Sequence, residues 1–240
     1  YKFSRFNLKT AAVFQNQYRS SGPLGSKMLE YSRDAVLPEM FAGIDYRKEG
    51  FIVGVGADVL TLTPRTQSTK GELTYKVSER NVSASLLAFA SYSSEWWKLN
   101  AKTIYGQNNV HTLSLGGYGV TSIDPVTGAY DYVNFNHSTS WVNVVYGKKW
   151  QVGLFGVFTK TLGTNKPLVS SSMTYGMGMD IDKLYNMSVQ TDYNIKNFTI
   201  GVEYSYSVAD YGTIQTATGK VTNTHAADNH RIAALCNYSF

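Results

Sequence analysis

The feature that most constrains this chain is an alternation that returns every twenty to thirty residues along its whole length. In residues 51–62, Phe51, Val53, Val55, Ala57 and Val59 alternate with Ile52, Gly54, Gly56, Asp58 and Leu60. In residues 185–193, Tyr185, Met187, Val189, Thr191 and Tyr193 are interleaved with Asn186, Ser188, Gln190 and Asp192. A period of two belongs to a β-strand whose two faces meet different surroundings. Ten segments carry it: residues 6–18, 38–47, 51–62, 82–94, 97–105, 138–147, 150–160, 185–193, 198–206 and 231–240. The 33 aromatic residues, 21 glycines and scarce proline favour many strands joined by turns. No run approaches the ~18 apolar residues of a membrane-spanning helix, so any membrane crossing falls to strands.

Alternation alone does not say which face looks inward, because soluble barrels bury the apolar face and membrane barrels turn it to lipid. Three features decide for the membrane. Short turns at residues 47–50, 94–95, 147–149 and 194–197 alternate with long polar loops at 19–37, 63–80, 108–137, 163–182 and 209–228. Short turns at one rim and long loops at the other are the pattern of outer-membrane barrels. Each short turn is also bracketed by aromatics, Tyr46 with Phe51, Tyr92 with Trp97, Tyr146 with Trp150 and Tyr193 with Phe198. With Tyr238 and Phe240 these make a girdle suited to the headgroup zone. Third, the last segment ends with an aromatic on its apolar face. The expected fold is therefore all-β, an antiparallel transmembrane β-barrel with about ten strands in this chain, placed in a bacterial outer membrane.

The opposite face carries Lys9, Asp45, Asp58, Lys98, Lys102, Asp192, Glu203 and Arg231. Charge in the hydrocarbon costs several kcal/mol at mid-depth, so these eight are candidates to line a wet interior, with Lys9, Asp58, Lys98, Lys102 and Glu203 expected at strand centres. Lys98 and Lys102 share one face of one strand about 13 Å apart by strand rise. With the net charge of +5, they point to a weak preference for anions. The positive charge is spread rather than gathered in basic runs, which argues against nucleic acid. The lone Cys236 excludes an intrachain disulfide and reads as a small residue facing lipid.

Other motifs have bland explanations. Gly116-Gly117-Tyr118-Gly119-Val120 is similar to a potassium-filter loop, which would need four copies between helices, and is expected instead in an outward hairpin tipped at Asp124-Pro125-Val126-Thr127-Gly128. His225, Asp228 and His230, with the Asp180-Ile181-Asp182 pair, are the residues that hydrolysis at the rim would use, and they read as solvated loop positions. The glycosylation-like triplets at Asn81, Asn136, Asn186 and Asn197 carry no weight. No catalytic, metal or cofactor site is expected; the alternative to a channel is a small ten-stranded barrel acting as adhesin or hydrolase.

Two stretches carry a resemblance. The first is Leu115-Gly116-Gly117-Tyr118-Gly119-Val120-Thr121-Ser122-Ile123-Asp124-Pro125, followed by His137-Ser138-Thr139-Ser140-Trp141 and by Tyr146-Gly147-Lys148-Lys149-Trp150. The second is Asp210-Tyr211-Gly212-Thr213-Ile214 with Asp228-Asn229-His230-Arg231-Ile232. Over residues 80–240 the sequence resembles the DcaP-like trimeric porins of the Bacteroides group. The resemblance implies a porin of about sixteen strands, a homotrimer in the lipid bilayer, and passive diffusion of small polar, preferentially anionic solutes. On that reading residues 1–240 are a single barrel domain lacking its N-terminal strands, the last ten of sixteen.

Overall fold

Each of the ten alternating segments forms a strand, and each strand pairs antiparallel with the next one in sequence. The computed structural model describes residues 1–14, 21–26, 29–112 and 114–239. In chain order the elements are β1 (Lys2–Phe3), β2 (Phe6–Val13), β3 (Ser21–Gly22), β4 (Gly25–Ser26), the one-turn helix α1 (Glu30–Arg33), β5 (Glu39–Lys48), β6 (Phe51–Leu62), β7 (Gln67–Lys70) and β8 (Leu73–Lys76). There follow β9 (Asn81–Ser93), β10 (Trp97–Gln107), a 3-10 turn at Asn109–Thr112, β11 (Gly116–Ile123), β12 (Tyr130–Gly147) and β13 (Trp150–Thr164). A second 3-10 turn at Ser171–Met173 precedes β14 (Thr174–Met177), β15 (Ile181–Ile195), β16 (Phe198–Ile214) and β17 (Val221–Tyr238). The wall runs β2-β5-β6-β9-β10-β12-β13-β15-β16-β17, with β1 doubling back on β2. Residues 15–18 of the first segment and Phe240 lie outside the described residues.

The four short turns form where the sequence places them. The chain reverses between β5 and β6 through Glu49 and Gly50, both with positive φ (46° and 85°), which matches the right-handed twist of a two-residue hairpin. Gly147 has φ of 114°, and a Cβ there would run into the carbonyl oxygen of Trp150. At the other rim the strands outrun their alternating segments. Residues 209–228, expected to be a polar loop, are strand except for the turn at residues 215–220. Beyond the apolar band neither face of a strand is uniformly apolar, so no regular period marks the continuation. His225, Asp228 and His230 accordingly sit in β17 rather than in a loop.

The long connections fold back over the wall. β7 and β8 form a separate hairpin, and β11 pairs with β12 on one edge and with β14 on the other. The β11–β12 hairpin does turn at residues 124–129, where Asp124 N–H donates to the Ala129 carbonyl at 2.8 Å. Its base does not project outward as expected: Gly116 to Val120 are buried, and Tyr118 packs with Tyr31 against Leu60 and Leu62 of β6. Glycine makes this approach feasible, since a Cβ on Gly119 would lie 2.6 Å from Leu168 and one on Gly22 would lie 2.6 Å from the Tyr31 ring.

Candidate channel wall

Strand register sorts the side chains onto two faces. Phe41 lies opposite Asp58 and Asp58 opposite Ser85; Gly54 lies opposite Phe89, Phe89 opposite Lys102, and Lys102 opposite Trp141. Farther along, Gln151 faces Asp192, Gln190 faces Glu203, and Ser205 faces Arg231. Followed across the sheet, Lys9, Asp45, Asp58, Lys98, Lys102, Asp192, Glu203 and Arg231 all fall on one face. It is the face that carries Leu60 and Leu62, onto which α1 and β11 fold, and is called the inner face below. The opposite face exposes aliphatic side chains, among them Ile44, Val55, Leu86, Leu154, Met187 and Ile232. Cys236 lies on it too, opposite Ile200.

The charges of the inner face are not equivalent. Asp45 is enclosed by Lys9 Nζ at 2.7 Å, Arg47 Nε at 2.7 Å and Asn7 Nδ2 at 2.8 Å. Glu203 accepts from Arg231 at 2.6 Å and from the Ser205 hydroxyl at 2.9 Å. Asp192 accepts from the Gln190 amide at 2.5 Å. Lys98 and Lys102, in contrast, form no ion pair among the described residues. Lys102 stands mid-strand between Phe89 and Trp141, whereas Lys98, expected at a strand centre, is the second residue of β10, beside the turn. Arg47 escaped the sequence reading because it closes a segment, although its alternation with Asp45 marks the face.

The aromatics of the short-turn rim lie on the outer face and join neighbouring hairpins. Ring centroids are 5.2 Å apart for Phe6 and Tyr46, 4.4 Å for Phe51 and Tyr92, 4.5 Å for Trp97 and Tyr146, and 4.5 Å for Trp150 and Tyr193. Each bracket thus stacks on the bracket of the next turn, and Phe198 lies opposite Tyr238. Trp96, missed from sequence, joins the set by stacking on Tyr146 at 5.9 Å. The lysines of the Gly147 turn cover these rings, Lys148 over Trp96 at 4.5 Å and Lys149 over Tyr193 at 5.1 Å.

At the long-loop rim a buried ion pair ties two loops together. The Arg65 guanidinium forks onto Glu79, and the same carboxylate accepts from the Tyr130 backbone N–H at 2.7 Å and the Tyr132 hydroxyl at 2.5 Å. Arg65 also lies 3.6 Å from the centroid of the Tyr130 ring and donates to the Gly128 carbonyl at 2.8 Å. Burial and the adjacent carboxylate raise the Tyr132 ionisation far above the ordinary phenol range, so it stays a donor.

The hydrolytic candidates do not converge. His230 touches Asp228 at 3.4 Å and the Tyr204 hydroxyl at 2.6 Å on the outer face, whereas His225 lies opposite Tyr211 on the inner one. Asp182 is engaged by Lys160 at 2.5 Å. Among the described residues no group of three or more His, Cys, Asp or Glu is placed to hold a metal ion.

No family model and no curated protein matches the sequence. The fold, however, has solved counterparts. The outer membrane channel DcaP of Acinetobacter baumannii superposes with a TM-score of 0.68 at 13% identity, over 99% of this chain and 60% of that one. OmpT, an outer membrane protein of Vibrio cholerae, superposes with a TM-score of 0.52 at 9% identity, over 99% and 62%. This chain therefore spans about 60% of the length of these two structures. The architecture, one large antiparallel sheet polar on one face and apolar on the other, is that of bacterial outer-membrane β-barrels.

Proposed function

We propose that this chain forms ten adjacent strands in the wall of a water-filled outer-membrane channel through which small polar solutes diffuse passively. One observation carries this reading: the charged side chains, most amides and many hydroxyls gather on one face of the strands, while the other is mainly aliphatic with aromatics at the turns. Such a sheet is stable only with water on one side and hydrocarbon on the other. β2 and β17 are not paired with each other among the described residues, and open strand edges are not tolerated in lipid. Further strands of the same barrel domain are therefore proposed to join these edges, enough for an aqueous lumen instead of one filled by side chains. Assembly as a homotrimer is proposed from the sequence resemblance.

A weak anion preference follows from charges that are left over. Asp45 and Glu203 are matched by their own cations; Lys98 and Lys102 have no such partner and together outweigh Asp192, which is bonded to the neutral Gln190 amide. Unpaired ammonium groups on a wet wall attract counter-ions over about 8 Å at physiological salt. In planar bilayers under a KCl gradient, the intact protein is expected to conduct with a reversal potential on the anion side. Replacing both lysines by glutamate, Lys98→Glu with Lys102→Glu, should move it toward cations. A protein that inserts without conducting overturns the channel; a conducting wild type that already selects cations overturns the preference.

A further inference from the structure

The inner face between β12 and β17 holds a recess of about 590 Å³, within the size range of small-molecule sites. Its chemistry differs from that of the lysine sector. The lining is dominated by neutral amides and hydroxyls: Asn143, Asn186, Ser188, Gln190, Ser207 and Asn229. The only opposite charges in it, Glu203 and Arg231, are bonded to each other at 2.6 Å, so the recess holds a matched pair and no spare cation. Part of the hydrogen-bonding capacity is spent internally. The Asn186 amide donates to the Ser207 hydroxyl at 2.7 Å and the Gln190 amide to Asp192 at 2.5 Å, leaving the carbonyl oxygens of both without a partner among the described residues. The side-chain amides of Asn143 and Asn229 have no protein hydrogen-bond partner among the described residues, so both their donors and their acceptors are open.

The recess also offers an aromatic surface. Phe155 lines the recess, and Trp141, on the same face of the adjacent strand, stands 6.3 Å away between ring centroids at 37°. Neither ring faces the aliphatic side, where an aromatic residue would be stabilised by lipid. An apolar ring surface set beside amides that both donate and accept matches a molecule with C–H faces and hydroxyl edges, because each hydroxyl also donates and accepts. A carboxylate or phosphate would need an unmatched cation beside it, and the charge of the single guanidinium is already balanced by Glu203.

We infer that this recess is a subsite for a neutral polyhydroxylated solute of the carbohydrate class, the amides holding its hydroxyls and Phe155, backed by Trp141, its apolar face. The inference rests on the channel reading and gives one sector of its wall a preference distinct from that of Lys98 and Lys102. The test is single-channel recording of the intact protein with maltose or sucrose added at millimolar concentration, beside succinate and a polyethylene glycol of similar mass. The disaccharides are expected to cause concentration-dependent current interruptions that the glycol does not. Loss of two hydrogen-bonding amides in the Asn143→Ala, Asn229→Ala double variant should lower their apparent affinity about tenfold, and Phe155→Leu, which retains bulk without the ring, should lower it several-fold. The open-channel current recorded from each variant shows that it has folded. Equal interruption by glycol and sugar, or interruption by succinate alone, overturns the subsite while the channel stands; absence of ion current altogether overturns the channel first.

Discussion

Glu79 shows how one residue organises a rim. Its carboxylate is 1% exposed and takes up two sides of Arg65, a backbone N–H of Tyr130 and the Tyr132 phenol. The pair spans from the connection around β7 and β8 to the start of β12, and Ser68 adds a bond to the Thr127 carbonyl at 2.6 Å. Removing one partner of a buried pair strands the other charge, at a cost of about 3–5 kcal/mol. Glu79→Ala is therefore expected to loosen the rim without unfolding the wall: backbone amides of residues 65–80 should exchange at least a hundredfold faster while those of β13 and β15 are unchanged. Glu79→Gln, which keeps an acceptor for Tyr132, should do less. Unaltered exchange in the alanine variant would show that the loops are held by their apolar contacts alone.

A single element illustrates why two glycines of the same hairpin are not alike. Gly147 closes the turn between β12 and β13 with φ of 114°, and any Cβ would meet the Trp150 carbonyl oxygen. Gly156, nine residues on in β13, has no atom within 4 Å of a built Cβ and lies on the outer face opposite Met187 and Val142. Gly147→Ala is expected to destabilise the protein by at least about 1 kcal/mol, since an L-residue is strained in that region and the hairpin has no slack. Gly156→Ala should be neutral or slightly stabilising, because alanine restricts the unfolded chain and adds apolar surface on the lipid side. Urea unfolding in lipid vesicles measures both, and equal effects would refute the distinction. The turn also places Lys148 and Lys149 over the neighbouring rings, so the turn and the aromatic rim are in contact.

For the molecule as a whole, the decisive property is that the sheet has two ends. β17 pairs with β16 along its length and β2 pairs with β5, but the outer edge of β17 has no partner among the described residues. If further strands complete the wall, the edge amides of β17 in the intact protein in bilayers should exchange as slowly as those of β16, whose hydrogen bonds are all in hand. Fast exchange confined to alternate β17 amides, those directed away from β16, would show that the edge stays open and would rule out a closed lumen. The solved counterparts are longer than this chain, which covers 60% of the DcaP channel.

The amino-acid sequence alone determined the ten wall strands, the short turns and the face on which each charged candidate lies, because those depend on a period of two and on turn chemistry, both local. From Phe51 to Leu62, or from Tyr185 to Tyr193, the parity of each side chain is legible from its neighbours. What the alternation did not carry was anything set by distant contact. The extension of β16 and β17 past residue 209 lies beyond the apolar band, and its half-buried and buried positions, such as Ile214 and Val221, are set by contact with distant loops and not by a period of two. The inward fold of Gly116 to Val120 required Tyr31, Leu60 and Tyr175 from three separate stretches. Whether Asp45 is neutralised and Lys102 left alone likewise depends on which strand lies beside which, and pairing between strands is a property of the folded sheet.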